Sequence, residues 1–286
     1  MPRERYALPP MCTGGLTWRT GSLGSDRQPD REAEMLSFSL LGAVELNQGD
    51  KKWTPRGPKV RQLLSLLLMR PSQTVTLDTL VEELWDGSPP RTAVQTIRTH
   101  VYNLRTGLER EAGLPGAAGL LVTEPTGYLL RVPPGQGDVD RFRRMVGEGR
   151  LHLEKGDAET AAGVLRRALD LWRGSPLTNV PLGPVLAQHV AHLEEVRIRG
   201  LELWIEAGMS LGRHRELIAD LRELVAVHTL NEWFHARLIE ALHRSGRRGD
   251  ALNAVQSLRR MLHDELGVEP SAEVRRLQLA VLAEAG

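Results

Sequence analysis

The segment PPRTAVQTIRTHVYNLRTGLE (residues 89–109), followed by LLVTEPTGYLLRV (residues 120–132), decides the fold of this chain. Apolar residues spaced three and four apart predict a helix from about Thr92 to Glu109. Two short β-prone runs, Leu120–Thr123 and Tyr128–Val132, flank a turn that contains proline and glycine, and they predict a hairpin. A helix with one polar face, followed by a two-stranded wing, is typical of a winged helix.

A small sheet and two more helices are predicted ahead of this segment. Alternating apolar and polar residues from Leu36 to Trp53 predict three short strands. Pro58 stands at a first helical position and opens the first helix. Thr76 is expected to cap the second helix, which Gly87 ends. The order of sheet, three helices and hairpin predicts an α+β winged helix-turn-helix domain over residues 35–132.

Two segments without apolar periodicity border this domain. Residues 1–34 mix Pro, Gly, Arg, Asp and Ser, and we expect them to form a disordered leader. Met35 stands directly before the first patterned residue and is a candidate alternative start. The Pro/Gly-rich residues 133–138 are expected to be a linker, and residues 139–286 to form a second domain that is helical throughout.

The second domain repeats itself. Three segments align on Gly156, Gly212 and Gly246, and apolar residues follow each glycine at offsets of five, six, nine and twelve. These residues are Ala161, Ala162, Leu165 and Ala168; Leu217, Ile218, Leu221 and Leu224; and Ala251, Leu252, Val255 and Leu258. The last two glycines are 34 residues apart, which is the tetratricopeptide period. The Pro-rich segment Ser175–Pro184 interrupts the array, so we expect an all-α tetratricopeptide-like domain with one insertion.

The composition favours helices and narrows the possible functions. Leucine and alanine dominate, and aromatic residues make up only 4% of the chain, which favours a mostly α fold. The formal net charge is +1, so binding to nucleic acid would have to rest on a local patch. Residues 51–110 form such a patch, with ten Lys and Arg against five Asp and Glu. A solvated face explains this imbalance about equally well.

Several other classes of protein lack support in the sequence. Cys12 is the only cysteine, so neither an internal disulfide nor a cysteine zinc site is possible. His189 and His192 lie close together, but they lack the further ligands of a metal motif. There is no phosphate loop and no nucleophile elbow, so we expect no enzyme and no cofactor. No apolar run is long enough for a membrane span or a signal peptide, which predicts a cytoplasmic protein.

The polar face of the helix at residues 92–109 is its most informative feature. A helical wheel places Val94, Ile97, Val101, Leu104 and Leu108 on the inward stripe. The outward side has short hydroxyls and amides at its centre and arginines on one flank. These residues are Thr92, Gln95, Thr96, Thr99, Asn103 and Thr106, with Tyr102 near them, and Arg91, Arg98 and Arg105. Such side chains suit the major groove, because Gln and Asn pair with adenine, Thr methyls touch thymine, and Arg reaches guanine or phosphate. A merely solvated face is the alternative.

Particular motifs carry a resemblance to known proteins. The run AVQTIRTHVYNLRTGL (residues 93–108), with Thr126-Gly-Tyr128 after it, resembles an OmpR/PhoB-type winged helix. Four further motifs resemble the Streptomyces antibiotic regulatory protein (SARP) family, in which a bacterial transcriptional activation domain of tetratricopeptide-like helices follows the winged helix. These motifs are FSLLG (38–42), LW (84–85), LWRGSPL (171–177) and ELGVEP (265–270). The resemblance covers roughly residues 35–285.

The resemblance implies a function. Members of this family are sequence-specific activators of a secondary-metabolite (antibiotic) gene cluster. They bind direct repeats in double-stranded DNA near the promoter and recruit RNA polymerase holoenzyme. Two copies are then expected to lie side by side, on one face of the duplex.

The wing departs from the OmpR/PhoB pattern. Such wings often carry an arginine that enters the minor groove, whereas Glu124 and Pro125 occupy that region here. We therefore expect the helix to supply most of the specificity, with Asn103 and Thr99 contacting bases and Arg105 a phosphate. The predicted DNA-binding residues are Gln95, Arg98, Thr99, Tyr102, Asn103 and Arg105 on the helix, with backbone contacts from Lys59, Arg61 and Thr76.

Two other functions remain open from the sequence. The protein could be a ligand-responsive regulator or repressor with an effector groove in the helical-repeat domain. It could also be an interaction scaffold whose winged helix has lost DNA binding. A DNA-shift experiment separates the scaffold from the regulators, and transcription with purified polymerase separates recruitment from ligand control.

Overall fold

The structure, a computed structural model, describes residues 36–114 and 117–283. The expected leader, Met35 and Cys12 lie outside the described residues. The chain divides into two compact units. The N-terminal unit holds residues 36–144 and 168–197, and the C-terminal unit holds residues 145–167 and 198–283. The proposed linker at residues 133–138 is thus part of the N-terminal unit, and the boundaries of the two predicted domains stay a prediction from sequence.

The chain begins with an antiparallel meander. The strands are β1 (Leu36–Ser39), β2 (Glu45–Gln48) and β3 (Lys51–Trp53), in the order β1-β2-β3. Phe38 pairs with Leu46, and both side chains are buried because the inward positions of the two strands coincide. The three predicted strands are confirmed.

Three helices follow the meander and form the helix-turn-helix. They are α1 (Pro58–Met69), α2 (Leu77–Trp85) and α3 (Ala93–Arg110), with the two-residue strand β4 (Val75–Thr76) directly before α2. Pro58 occupies the first turn of α1, as predicted. The Thr76 hydroxyl accepts a hydrogen bond from the backbone N–H of Thr79 at 3.2 Å, which confirms the predicted N-cap of α2.

The hairpin completes the winged helix. A short helix, α4 (Ala117–Leu120), leads into β5 (Leu121–Glu124) and β6 (Gly127–Leu130), and the second sheet has the order β4-β6-β5. β6 therefore lies between the start of α2 and the outer strand β5. A Cβ atom at Gly127 would lie 1.9 Å from the Val75 carbonyl oxygen, so only glycine allows β6 to approach β4 this closely. Thr126 accepts a hydrogen bond from Leu77 N at 3.0 Å, which ties the hairpin turn to α2.

Seven helices make up the rest of the described chain. They are α5 (Asp138–Glu154), α6 (Ala158–Leu169), α7 (Pro184–Ser210), α8 (His214–Val227), α9 (Glu232–Arg244), α10 (Arg248–Leu266) and α11 (Ala272–Ala283). The three aligned glycines, Gly156, Gly212 and Gly246, each lie between two successive helices and have φ angles of 78°, 72° and 76°. Glycine adopts this left-handed conformation without strain, so one turn type recurs three times. The predicted helical repeat is confirmed.

The C-terminal unit packs around α9. Phe234 and Ile239 of this helix are fully buried, and residues of α8, α10 and α11 surround them. Leu221, Val255 and Leu258, which the repeat alignment predicts as core, are among these buried residues.

The Pro-rich insertion belongs to the N-terminal unit. Instead of forming a helix, its backbone and that of the preceding residues pair with the corner between β1 and β2. Arg173 N donates to Leu41 O at 2.8 Å, and Leu177 N donates to Leu40 O at 3.1 Å. These hydrogen bonds tie the segment that interrupts the repeat to the loop that follows β1.

Candidate nucleic-acid interface

Helix α3 packs on the domain through one buried stripe. Ile97, Val101, Leu104 and Leu108 are buried, as the helical wheel predicts. At the first turn the inward position belongs to Ala93 rather than to Val94, whose side chain is 39% exposed. Ala93 and Val94 lie four and three residues before Ile97, so a wheel places both at the edge of the stripe and does not show which one is buried. The prediction for Val94 was wrong.

The opposite face of α3 is exposed and polar. Gln95, Arg98, Thr99, Tyr102 and Asn103 are all exposed, and their spacing of three and four residues places them on one stripe. Tyr102 is 66% exposed, which is unusual for a large aromatic side chain. The structure thus brings five of the predicted DNA-binding residues together on one accessible face.

Hydrogen bonds within α3 determine which contacts its threonine side chains can make with an outside partner. Thr99 donates its hydroxyl proton to the Gln95 carbonyl at 3.1 Å, and Thr96 donates to Thr92 at 3.0 Å. Each hydroxyl keeps its lone pairs and its methyl group for an outside partner. The Thr99 side chain is therefore suited to accept a hydrogen bond or to make an apolar contact.

The first turn of α2 lies beside the wing. Thr76 is exposed, and its hydroxyl lies 2.9 Å from that of Thr79. The helix dipole favours an anion at a first helical turn, although the N–H groups of Leu77 and Thr79 already donate to Thr126 O and to the Thr76 hydroxyl. Thr76 therefore lies where a phosphate oxygen would be stabilised.

Arg105 binds the wing. Its Nε and Nη2 atoms donate to the Leu121 carbonyl at 3.1 and 2.7 Å, and Nη2 also donates to the Thr123 hydroxyl at 2.9 Å. The guanidinium group is thus engaged by β5, although the helical wheel puts Arg105 on the flank of the outward face.

Lys59 and Arg61 also have partners within the N-terminal unit. Lys59 Nζ donates to the Leu84 carbonyl and lies 4.9 Å above the Trp85 ring. Arg61 Nε donates to the Asn179 carbonyl at 2.7 Å. Both cations stabilise the frame around α1 and α2, and a DNA contact from either one stays a prediction.

α3 carries one half-buried histidine. Both ring nitrogens of His100 are buried and have no hydrogen-bond partner within the described part of the chain. Burial, and secondly the charge of Lys59, lower the pKa of His100 below its usual value. The neutral imidazole is therefore the form that fits the folded helix.

A buried carboxylate on α2 is a functional candidate that the sequence reasoning missed. Glu83 is 2% exposed, and it accepts hydrogen bonds from the backbone N–H groups at the start of α7. Its Oε1 accepts from Gly183 at 2.8 Å, and its Oε2 accepts from Val185 at 3.0 Å and Leu186 at 2.9 Å. The carboxylate satisfies the unpaired donors of the α7 N-terminus and its dipole. It thereby ties the helix-turn-helix to the segment at residues 183–186.

A second buried carboxylate fixes the start of α5. Asp138 accepts hydrogen bonds from Leu40 N at 2.8 and 2.9 Å and from Leu41 N at 3.0 Å, and Arg173 lies 3.3 Å away. Burial raises the pKa of Asp138, and these hydrogen bonds and the Arg173 charge offset part of that effect. No local pattern predicts this contact, because its partners are almost 100 residues apart in sequence.

The described residues show neither a metal cluster nor a spanning helix. No group of three or more His, Cys, Asp or Glu side chains in residues 36–114 and 117–283 could hold a metal ion. Among the same residues, no helix is long and apolar enough to cross a membrane.

Two protein families match successive parts of the chain. Residues 52–130 match the family described as transcriptional regulatory protein, C terminal. Residues 137–282 match the family described as bacterial transcriptional activator domain. Together with the fold, these matches define a class: a transcriptional regulator with an OmpR/PhoB-type winged helix followed by a helical activator domain.

Individual relatives narrow the class. The regulatory protein DnrI of Streptomyces peucetius is 39% identical to this chain, over 86% of the chain and 92% of DnrI. The transcriptional regulator RedD of Streptomyces coelicolor is 35% identical, over 87% of the chain and 71% of RedD. The regulatory protein AfsR of Streptomyces coelicolor is 35% identical over 88% of the chain, which spans only 25% of AfsR. The chain belongs to the SARP family of transcriptional regulators.

A solved structure has the same fold. Mycobacterium tuberculosis EmbR, in complex with a low affinity phosphopeptide, superposes with a TM-score of 0.81 at 30% identity. The match covers 88% of this chain and 66% of the EmbR chain. The predicted winged helix followed by a helical domain is therefore confirmed.

Proposed function

We propose that this protein is a sequence-specific DNA-binding activator of a secondary-metabolite (antibiotic) gene cluster, and that α3 enters the major groove. The exposed stripe of α3 carries the proposal, because Gln95, Thr99 and Asn103 present amide and methyl groups in a row. A helix fits the major groove, where each base pair displays its own pattern of donors, acceptors and methyl groups. The family of the chain supports the same function.

The side chains of the stripe divide by the contacts that they can make. Gln95 and Asn103 can each pair bidentately with an adenine edge, and the Thr99 methyl can touch a thymine methyl. Arg98 is exposed and has no ion pair within the described residues, so it is available for guanine or for phosphate. Thr76 and the first turn of α2 add a phosphate contact beside the wing. We propose further backbone contacts from Lys59 and Arg61, as the sequence predicts.

A direct-repeat site would seat two copies of the protein in the same orientation. The two half-sites face the same side of the duplex when their centres are about 10–10.5 base pairs, or a multiple of this distance, apart. Insertion of half a turn of DNA between the half-sites should then abolish cooperative binding. The helical-repeat domain is proposed to contact RNA polymerase holoenzyme from this position, in the cytoplasm on nucleoid DNA.

DNA binding is tested with the promoters that neighbour the gene. We expect a salt-sensitive, sequence-specific footprint for the full-length protein. Asn103→Ala should relax the preference at one base position, at a cost of about 1–3 kcal/mol in binding. Asn253→Ala, on the exposed surface of α10, is the matched control and should bind like the wild type. Wild-type protein that binds every sequence equally would overturn the proposal.

Transcription with purified polymerase separates activation from ligand control. Activation by the protein alone supports recruitment of the polymerase. Repression, or activation that needs an added small molecule, would instead support the ligand-responsive regulator.

A further inference from the structure

We propose that Arg105 is a positioning residue, which fixes the wing against the DNA-reading helix and contacts no phosphate itself. The proposal rests on the proposed function of α3, and it assigns to Arg105 a different role from that of the exposed arginine on the same helix. Its basis is the geometry of the guanidinium group between α3 and β5.

The guanidinium group binds the free edge of the outer strand. Arg131 N donates to Leu120 O at 2.8 Å, so the carbonyl of the next residue, Leu121, points away from β6. Strand pairing leaves this carbonyl without a partner, and two nitrogen atoms of Arg105 donate to it, at 3.1 and 2.7 Å. The same group donates to the hydroxyl of Thr123, two residues further along the edge, at 2.9 Å. Arginine is suited to this task, because its planar fork presents several donors in a fixed geometry.

The position of β5 depends on this contact more than that of β6 does. β6 is held on its other side by β4, and the turn is held by the bond from Leu77 N to Thr126 O. β5 is the edge strand of the sheet and pairs with β6 alone. A two-stranded hairpin by itself is marginally stable in water. The link from Arg105 therefore determines how closely the outer strand follows α3.

A phosphate contact from Arg105 would compete with the same bonds. To contact the DNA backbone through Nε or Nη2, the guanidinium group would have to release the Leu121 carbonyl or the Thr123 hydroxyl. Arg98, which is exposed on the same helix and has no such bonds within the described residues, can contact DNA without this loss. The two arginines carry the same charge, so Arg98 provides a matched control.

Amide hydrogen exchange of the full-length protein without DNA tests the positioning role directly. We expect the amides of Val122 and Leu129 to exchange at least about tenfold faster in Arg105→Ala than in the wild type, because the hairpin opens more often. Arg105→Lys should show most of this effect, since a single ammonium group cannot reproduce the fork. Thr123→Val removes one of the three bonds and should give a smaller increase. Arg98→Ala should leave wing exchange unchanged, and amides of α9 should be unaffected in all four variants.

Footprinting then separates the two roles on DNA. Arg105→Ala should lose protection on the side of the site that faces the wing while it keeps the base preference of the wild type. Arg98→Ala should weaken binding to all sequences. It should also reduce the dependence of the binding constant on salt concentration by about the contribution of one phosphate contact. Unchanged wing exchange in Arg105→Ala, with a salt dependence reduced as in Arg98→Ala, would show a phosphate contact and overturn the inference.

The two proposals fail in different ways. If the wild type binds no sequence specifically, the proposal that α3 reads DNA is wrong. Faster amide exchange of the wing in Arg105→Ala would still support the proposal that Arg105 holds β5 against α3. If Arg105→Ala does not fold, Thr123→Val decides: unchanged wing exchange in that variant overturns the proposal for Arg105, and increased exchange supports it.

Discussion

The Glu83 carboxylate on α2 accepts a hydrogen bond from the backbone N–H of Gly183 at 2.8 Å, across 100 residues of sequence. The same carboxylate accepts from Val185 and Leu186, so one side chain caps the whole first turn of α7. α2 is also the helix whose first turn lies beside the wing. The winged helix is thus built together with residues 168–197, which the sequence assigns to the second domain.

Replacement of Glu83 should destabilise the N-terminal unit. In Glu83→Gln, one of the two carboxylate oxygens becomes an NH₂ group that faces a backbone donor. A hydrogen bond to a charged group contributes about 1.5–3 kcal/mol, so we expect the free energy of unfolding to fall by at least about 2 kcal/mol. Denaturant titration measures this loss. Glu82→Gln, at the exposed neighbouring position, is the control and should change stability by less than about 0.5 kcal/mol.

Gly183 should tolerate no side chain. A Cβ atom at this position would lie 2.0 Å from the Glu83 carbonyl oxygen and 2.8 Å from its carboxylate carbon. Gly183→Ala must therefore separate α2 from the start of α7, and we expect a lower melting temperature and loss of the Glu83 bonds. Gly147→Ala, within α5 where a Cβ meets nothing within 4 Å, should instead stabilise the protein by about 0.5–1 kcal/mol. Equal melting temperatures for the two variants would contradict this account.

Local patterns predict the elements around the recognition helix well. The helix expected from Thr92 to Glu109 spans Ala93–Arg110, and the predicted hairpin strands differ from β5 and β6 by one or two residues. Helix periodicity, a capping threonine and turn residues are all signals within a few residues of the element that they define. They also place the polar face of α3 on the exposed side.

Contacts between distant segments lie beyond such signals. A helical wheel places Arg105 on a flank of α3, but it does not indicate that β5 lies on that flank. Likewise, Glu83 and Asp138 look like ordinary acidic helix residues, since their partners lie about 100 residues away. The N-terminal compact unit includes residues 168–197, whereas the Pro/Gly-rich segment suggests a boundary at residues 133–138.

Ionisation of Asp138 should lower the free energy of unfolding as the pH rises through the acid range. Burial raises the pKa of Asp138 above its ordinary 3.8, so just above that pH the folded state binds more protons than the unfolded state. The contribution of Asp138 to the free energy of unfolding therefore decreases as pH rises through this window. Asp138→Asn does not titrate, and it loses an acceptor for Leu40 and Leu41. We expect the variant to be less stable throughout, by a margin that shrinks from pH 4 towards neutral pH.

The measurement is urea unfolding of both proteins at a series of pH values. Asp140→Asn, two residues further along α5, serves as the control for a general effect of charge. A margin between wild type and Asp138→Asn that grows as pH rises would show that the carboxylate is stabilised as an anion and would contradict the prediction.

His100 should make the recognition helix sensitive to mild acid. Burial and the charge of Lys59 lower its pKa in the folded state below the usual 6.5, so the unfolded state binds more protons as pH falls through that value. The free energy of unfolding therefore decreases on acidification and levels off below the folded-state pKa. The pKa values of His189 and His235 are lowered as well, so only a comparison with His100→Gln isolates the effect of His100.

Below pH 6.5 we expect the wild type to lose more stability than His100→Gln. The control His263→Gln, at an exposed position on α10, should follow the wild type. Parallel pH profiles for wild type and His100→Gln would show that the imidazole is protonated equally in both states.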